Sequence, residues 1–156
     1  MYTTKNGVVI IRPDPLPWVY DDGGRATAGY KGKTGDCVTR AIAIASQRPY
    51  QEIYDLVNQT GQAEHITKTK RHKSNARTGA YGYTEHRILA QLGFNWTPTM
   101  TIGSGCQVHL ATGELPTGRL VVRLSGHLMA VIDGIMHDTY NDSRDGTRCV
   151  YGYWQK

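Results

Sequence analysis

Apolar residues in the first half of the chain follow helical spacing. From Val38 onward they recur at i+3, i+4 and i+7, and positions 43 and 44 between them are apolar as well. A helix that is apolar nearly all round is a buried helix. Residues 37–47 are therefore predicted to form a helix that runs through the core, with Asp36 as its N-cap residue.

Two further helices are predicted from the same spacing. Residues 50–59 place three apolar side chains on one face, and Gly61 is expected to end that helix. Residues 84–92 form the third helix, with Thr84 as its cap and Gly93 as its stop signal.

The remaining apolar segments are short and rich in β-branched and aromatic residues, which is typical of strands. Predicted strands cover residues 8–11, 96–102, 107–110, 119–124, 127–132, 135–140 and 149–154. Helices thus come first and antiparallel strands follow, which indicates an α+β fold in a single domain over residues 1–156. The cysteine-bearing helix is expected to pack on the C-terminal antiparallel sheet.

Two segments lack periodicity. Residues 1–35 are interrupted by proline and glycine and are interpreted as an extended arm, which Trp18 and Tyr20 anchor on the body. Residues 62–80 are polar and basic and are interpreted as a long loop that could be mobile.

Length and composition narrow the class of protein. The 156 residues include 39% hydrophobic and 20% charged residues, which suits one domain with its own core and not a disordered chain. No apolar run reaches the length of about 18 to 20 residues that a membrane span needs. The N-terminus lacks the pattern of a secretory signal. We therefore expect a cytoplasmic protein without membrane contact.

The three cysteines are Cys37, Cys106 and Cys149. An odd and sparse set argues against a disulfide framework and favours a reducing compartment. Cys106 and Cys149 are interpreted as packed strand residues. Cys106 and His109 have the spacing of metal ligands, but no second pair accompanies them. We therefore predict no metal and no cofactor.

Basic residues are concentrated in one segment of this chain of net charge +5. A phosphate backbone could bind there, but such a run is more often a solvated loop, so a nucleic-acid partner is the less favoured interpretation. In an enzyme the same loop could border the cleft and favour acidic substrates. The residues concerned are Lys68, Lys70, Arg71, Lys73 and Arg77.

Cys37 opens the predicted buried helix. A helix N-terminus carries partial positive charge, which stabilises a thiolate, and its unpaired backbone N–H groups can bind an oxyanion. Both are requirements of a cysteine nucleophile. The alternative is that Cys37 is a small apolar residue in a core helix.

A hairpin brings a histidine and a carboxylate together. Asp133-Gly134 favours a two-residue type I′ turn, and the resulting register makes His127 and Asp138 diagonal neighbours on one side of the ribbon. His137 falls on the other side. A carboxylate that orients an imidazole supports a catalytic triad, although a structural His–Asp pair is the alternative.

Residues 35–46 (GDCVTRAIAIAS) and 126–141 (GHLMAVIDGIMHDTYN) together resemble the papain-like cysteine peptidase superfamily. The three residues occur along the chain in the order Cys, His, Asp, which is the order in that superfamily. The chain is also similar to its bacteriocin-processing and cell-wall-peptidase branches. The whole chain is also similar to small proteins of bacteria and their phages. The resemblance implies a papain-like fold, a protein or peptide substrate, Cys37 as nucleophile, His127 as general base and Asp138 as the residue that orients it.

Four positions close in sequence to the predicted catalytic residues are the predicted substrate-binding residues: Lys31, Asp36, Gly126 and Tyr140. Peptidases of this type often carry a glutamine about six residues before the cysteine, where this chain has Lys31. The alternatives to a hydrolase are an acyl-transfer enzyme of the transglutaminase or deamidase type, and a non-catalytic protein on this fold that binds a host protein or nucleic acid.

Overall fold

The computed structural model describes residues 2–11 and 14–156, so residues 1, 12 and 13 of the predicted arm lie outside it. The described part contains three helices and a six-stranded mixed sheet, and the predicted α+β class is confirmed. The helices are α1 (Cys37–Ser46), α2 (Tyr50–Gln62) and α3 (Gly82–Gln91). The strands are β1 (Tyr2–Lys5), β2 (Val8–Ile11), β3 (Trp18–Tyr20), β4 (Asn95–Pro98), β5 (Val108–His109), β6 (Arg119–Leu124), β7 (His127–Ile132), β8 (Ile135–Asp138), β9 (Cys149–Val150) and β10 (Gly152–Gln155).

The main sheet has the strand order β3-β8-β7-β6-β10-β4. Every neighbouring pair is antiparallel except β3 and β8, which run parallel. The prediction of a purely antiparallel sheet is therefore wrong at one edge. The extra strand comes from the arm, where three residues are too few for a period of two to be visible.

The predicted strand over residues 149–154 is divided in two. β9 pairs with β5 in a separate two-stranded sheet, whereas β10 lies between β6 and β4 in the main sheet. Tyr151 separates them, and its backbone N–H donates to the carbonyl of Arg123 at 2.9 Å. A change of sheet within six residues leaves the alternation of side chains nearly intact, so the sequence pattern reads as one strand.

Helix α1 is buried on all sides, as its apolar pattern predicts. It packs against β7 and β6 on one side and against α2 on the other. Arg119 donates hydrogen bonds to the carbonyls of Ile44 and Ala45, in the last turn of the helix, where carbonyl groups lack the i+4 donors of the helix interior. The sheet therefore fixes this helix at its last turn.

The arm covers the opposite face of the sheet. Leu16 belongs to the apolar cluster on that face, and its N–H donates to the carbonyl of Leu110 at 3.2 Å. The Trp18 indole N–H donates to the carbonyl of Asp138 at 3.1 Å. Tyr20 is 63% exposed, so the expectation that its side chain anchors the arm is wrong. Leu16 and the backbone of β3 do so instead.

Two helix boundaries differ from the prediction. Gly61 does not end α2 but lies buried within it, since a Cβ at this position would be 2.2 Å from the carbonyl oxygen of Ser74. Thr84 does not cap α3 but sits in its first turn, where the hydroxyl donates to the buried carboxylate of Glu64.

The loop predicted over residues 62–80 begins at residue 63, after the last residue of α2, contains no helix or strand, and is held at several points. Glu64 accepts a hydrogen bond from the Ser74 backbone N–H at 2.6 Å. The Ala76 N–H donates to Asn58 Oδ1 at 2.8 Å, and Lys73 Nζ donates to the carbonyl of Gln62 at 2.8 Å. These contacts connect the basic segment to α2, which leaves it less free than its composition suggests.

Cys106 and Cys149 form a disulfide with a Cα–Cα distance of 5.8 Å, so the prediction that both are unpaired is wrong. They are 43 residues apart in sequence, and only the fold brings them together. The disulfide leaves Cys37 as the free thiol of the three. No helix in the described part of the chain is long and apolar enough to cross a membrane.

We expect Gly61→Ala to lower the free energy of unfolding by about 1 to 3 kcal/mol, because the new methyl group collides with the Ser74 backbone. The sign of this change distinguishes a packed position from an open one. At an open helix position, alanine stabilises the protein by about 1 kcal/mol relative to glycine. Urea denaturation measures the change. Gln59→Ala on the exposed side of the same helix is the control, and a Gly61→Ala protein as stable as this control would contradict the packing.

Candidate active site

Cys37 is the first residue of α1, and the adjoining loop fixes its position. The Gly35 N–H donates to the carbonyl of Arg77 at 2.8 Å, and the Thr39 hydroxyl donates to the carbonyl of Ala76 at 2.8 Å. Both bonds connect the start of the helix to residues 76–77. The thiol is therefore held at a helix N-terminus, half-buried, with one side open to a cleft.

The hairpin of β7 and β8 has the predicted register. Asp133 and Gly134 have φ values of 49° and 76°, which a type I′ turn requires, and Ile132 pairs with Ile135. His127 begins β7 and Asp138 ends β8, so the two residues lie at the same end of the sheet.

The imidazole and the carboxylate are directly bonded. His127 Nε2 donates to Asp138 Oδ2 at 2.6 Å. His137 instead bonds Asp21 at 3.0 Å, away from this pair, as the parity of the hairpin predicts. With Nε2 engaged by Asp138, Nδ1 is the ring nitrogen of His127 left to interact with the thiol of Cys37, which lines the same cleft.

The thiolate form of Cys37 is stabilised by neighbouring groups. Burial alone would raise the pKa of Cys37. The hydrogen bond from His127, the backbone N–H of Leu128 and the positive charges of His127 and Arg40 outweigh it, so the pKa of Cys37 lies below its ordinary value of 9.0.

The imidazole responds in the opposite direction. Burial would lower the pKa of His127, but its hydrogen bonds to Asp138 and Cys37 and the negative charges of both raise that pKa to about 9. For Asp138, burial is likewise outweighed by His127 and by the Thr139 N–H, and the pKa of the carboxyl falls. All three pKa values are thus shifted toward the ionised forms, which are a carboxylate on Asp138, an imidazolium on His127 and a thiolate on Cys37.

A buried arginine connects both ends of this arrangement. Arg40 lies one turn into α1 and is 6% exposed. Its Nη2 donates to Asp138 Oδ1 at 2.9 Å, while its Nη1 pairs with Asp36 Oδ1. Arg25 Nη1 at 3.1 Å and the Tyr50 hydroxyl at 2.7 Å complete the partners of Asp36.

One expectation for Asp36 is thereby wrong. It precedes α1, but its side chain makes no capping hydrogen bond, because both oxygens are taken by Arg25, Arg40 and Tyr50. Asp36 borders the cleft, as the prediction of a substrate-binding residue requires, but it is fully buried and its carboxylate is engaged by the protein. Its role is to pair with the two arginines, which keeps its charge from opposing that of the thiolate.

The cleft in front of Cys37 has a volume of about 740 Å³. Gly126 and Tyr140 line it, in agreement with their predicted position near a substrate, and the Tyr140 ring lies 5.8 Å from that of His127. Lys31 does not line it. Its backbone carbonyl accepts a bond from Arg77, and its side chain is exposed elsewhere.

Sequence reasoning missed several residues of the cleft. Residues 78–80 form one wall, and Glu85 with Arg123 forms another. Arg40 was also missed, although the sequence contains a signal for it: it is the single charge in a helix that is otherwise apolar or uncharged. A charge in such a helix needs a buried partner.

Within residues 2–11 and 14–156, no three His, Cys, Asp or Glu side chains are grouped as metal ligands. Cys106 is oxidised and His109 Nδ1 bonds Glu114 at 3.1 Å, so the one pair with ligand spacing is engaged otherwise.

Comparisons with protein families, with curated protein sequences and with solved structures found no match for this chain. The functional interpretation therefore depends on the chemistry of the site itself.

Replacement of Arg40 by glutamine should lower the free energy of unfolding by about 3 to 5 kcal/mol, because it removes the one cation that two buried carboxylates, Asp36 and Asp138, share. Arg48, in the connection between α1 and α2, is a matched control, since it also pairs with a carboxylate four residues away but in solvent. Arg48→Gln should cost about 0.5 kcal/mol or less. Equal losses in the two variants, measured by urea denaturation, would contradict the bridging role of Arg40.

Proposed function

We propose that this protein is a papain-like cysteine hydrolase that cleaves an amide bond, peptide or isopeptide, through an acyl-enzyme on Cys37. One observation carries the proposal: Cys37, His127 and Asp138 form a series in which the hydrogen-bonded His127–Asp138 pair lies beside a free thiol at a helix N-terminus, and the thiol and the imidazole line the same open cleft. A structural His–Asp pair would not need a free thiol with a lowered pKa beside it.

The first step is attack of the Cys37 thiolate on the substrate carbonyl carbon. The carbonyl π electrons move to oxygen, and the resulting oxyanion lies at the N-terminus of α1. There the Cys37 backbone N–H belongs to the first turn and has no intrahelical acceptor. The His127 imidazolium then donates its proton to the leaving nitrogen, the C–N bond breaks and a thioester remains on Cys37.

The second step returns the enzyme to its starting state. Neutral His127 takes a proton from water, and the resulting hydroxide adds to the thioester carbon. The thiolate leaves, a carboxylic acid is released and the imidazolium is restored. Asp138 holds the ring through Nε2 in both steps, and Arg40 holds Asp138.

The pH dependence follows from the two shifted pKa values. Below the lowered pKa of Cys37 the thiol is protonated and attack stops. Above about pH 9 His127 loses its proton, and the leaving amine has no acid. Amide cleavage should therefore rise at a pH below the ordinary titration range of a thiol and decline as pH passes about 9.

The proposal predicts that p-nitrophenyl acetate acylates Cys37. A burst of nitrophenol with an acetyl group on Cys37, located by mass spectrometry, is the expected result. His127→Ala should slow the burst by about 100-fold or more at neutral pH, because the thiolate loses its partner, and should move its pH midpoint upward. Added amines show whether the acyl group passes to water or to nitrogen, which separates a hydrolase from an acyltransferase.

His137→Ala is the matched control, since His137 also bonds an aspartate but lies outside the series. It should leave the burst unchanged. Acetylation of Cys37 at the same rate in the His127 and His137 variants, or no thioester in the wild-type protein, would refute the proposed function.

A further inference from the structure

Arg123 lies beside the nucleophile, on the helix-covered face of the sheet. It pairs with Leu128 across β6 and β7, and directly opposed residues share a face. The backbone N–H of the same Leu128 contributes to the pKa of Cys37 through a hydrogen bond. The guanidinium therefore borders the cleft close to the reacting sulfur.

Part of the Arg123 guanidinium has no hydrogen-bond partner among the described residues. Nη1 pairs with Glu85, a 3% exposed residue of α3. Within the described residues no partner is found for Nη2, which is 3.4 Å from the point where a Cβ on Gly82 would lie. Arginine carries five N–H donors in a planar fork suited to a carboxylate. The Glu85 carboxylate thus engages Nη1 of Arg123, and the remaining donors of the guanidinium face open space.

Open space adjoins Arg123 on two sides. It lines the cleft that contains Cys37, and it also lines a second cavity of about 680 Å³ whose walls include Trp96, Met100 and Ile102. The side chain is 30% exposed. A substrate that extends from Cys37 toward the second cavity must pass the Arg123 guanidinium before it reaches the apolar walls of that cavity.

We propose that Arg123 selects substrates that carry a carboxylate next to the bond that is cleaved. This inference rests on the proposed function and deepens it by naming the substrate class. The carboxylate belongs either to an acidic side chain or to the end of a chain, and both present the same two oxygens to the guanidinium.

The test compares two reagents that alkylate Cys37. Iodoacetate carries a carboxylate and iodoacetamide does not, while both consume the thiolate, so the ratio of their rates cancels changes in the pKa of Cys37. Arg123→Gln should lower the ratio of iodoacetate to iodoacetamide rates about five- to tenfold at low salt, and Arg123→Lys should retain most of it. Arg87→Gln removes the same charge from an exposed position of α3 and should leave the ratio unchanged.

A second variant guards against loss of the fold. Arg123→Gln leaves the buried Glu85 without a cation, so the double variant with Glu85→Gln is measured as well, and both are checked by circular dichroism. A wild-type ratio in the folded double variant overturns the inference while the proposed function stands. If Cys37 of the wild-type protein shows no selective reaction with iodoacetamide, the proposed function fails and this inference fails with it.

Three short peptides identify the source of the carboxylate. Acetyl-Gly-Gly-Asp amide, acetyl-Gly-Gly-Gly with a free carboxylate and acetyl-Gly-Gly-Asn amide are tested for protection of Cys37 against iodoacetamide. Protection by either of the first two, lost in Arg123→Gln, supports the inference and tells a side chain from a chain end. Equal protection by all three, or by none, overturns it.

Discussion

The arrangement of the site depends on one buried cation. Arg40 bonds Asp36, which precedes helix α1, and Asp138, which ends strand β8, so a single guanidinium connects the start of the helix to the end of the sheet. A buried charge is tolerated only where such partners offset its loss of hydration. Since Cys37 lies between Asp36 and Arg40 in the same turn, the bridge that neutralises the guanidinium also fixes the nucleophile at the end of the sheet where His127 and Asp138 lie. The position of the nucleophile is thus a consequence of an electrostatic requirement of the core.

The ionised groups of the site support one another through alternating charge. Burial acts against the charged form of Cys37, His127 and Asp138, and taken alone it would shift all three pKa values toward the neutral forms. The opposite charge and the hydrogen bond of its neighbour stabilise the charged form of each group more than burial destabilises it, as the directions of the three pKa shifts show. The pairing of Asp36 with Arg25 and Arg40 belongs to the same balance, because an unpaired carboxylate beside Cys37 would oppose a thiolate. Loss of any member is therefore expected to affect the others.

Local features of this fold could be predicted from the sequence, and distant contacts could not. Helix α1 and the β7–β8 hairpin follow from periodicity and from a dipeptide that selects its own turn, which is why the contact between His127 and Asp138 was predictable. Strand β3, the Cys106–Cys149 disulfide and the place of Gly61 within α2 depend on residues far apart in sequence. Asp36 looked like a cap for a related reason: Arg25 and Tyr50 reach its oxygens only in the folded chain, although Arg40, four residues further on, could have been recognised as a competing partner. Arg123 gave no signal in the sequence, since a charge near the end of a strand is common on protein surfaces.

The most direct test of the central claim is the titration of His127 followed by NMR of its ring nitrogens. A thiolate on one side and Asp138 on the other should keep both ring nitrogens protonated through neutral pH, with a pKa of about 9. In Cys37→Ala the pKa should fall, because one of the two negative partners is removed. A His127 that titrates near the ordinary value of 6.5 and does not respond to the loss of Cys37 would contradict the thiolate–imidazolium pair.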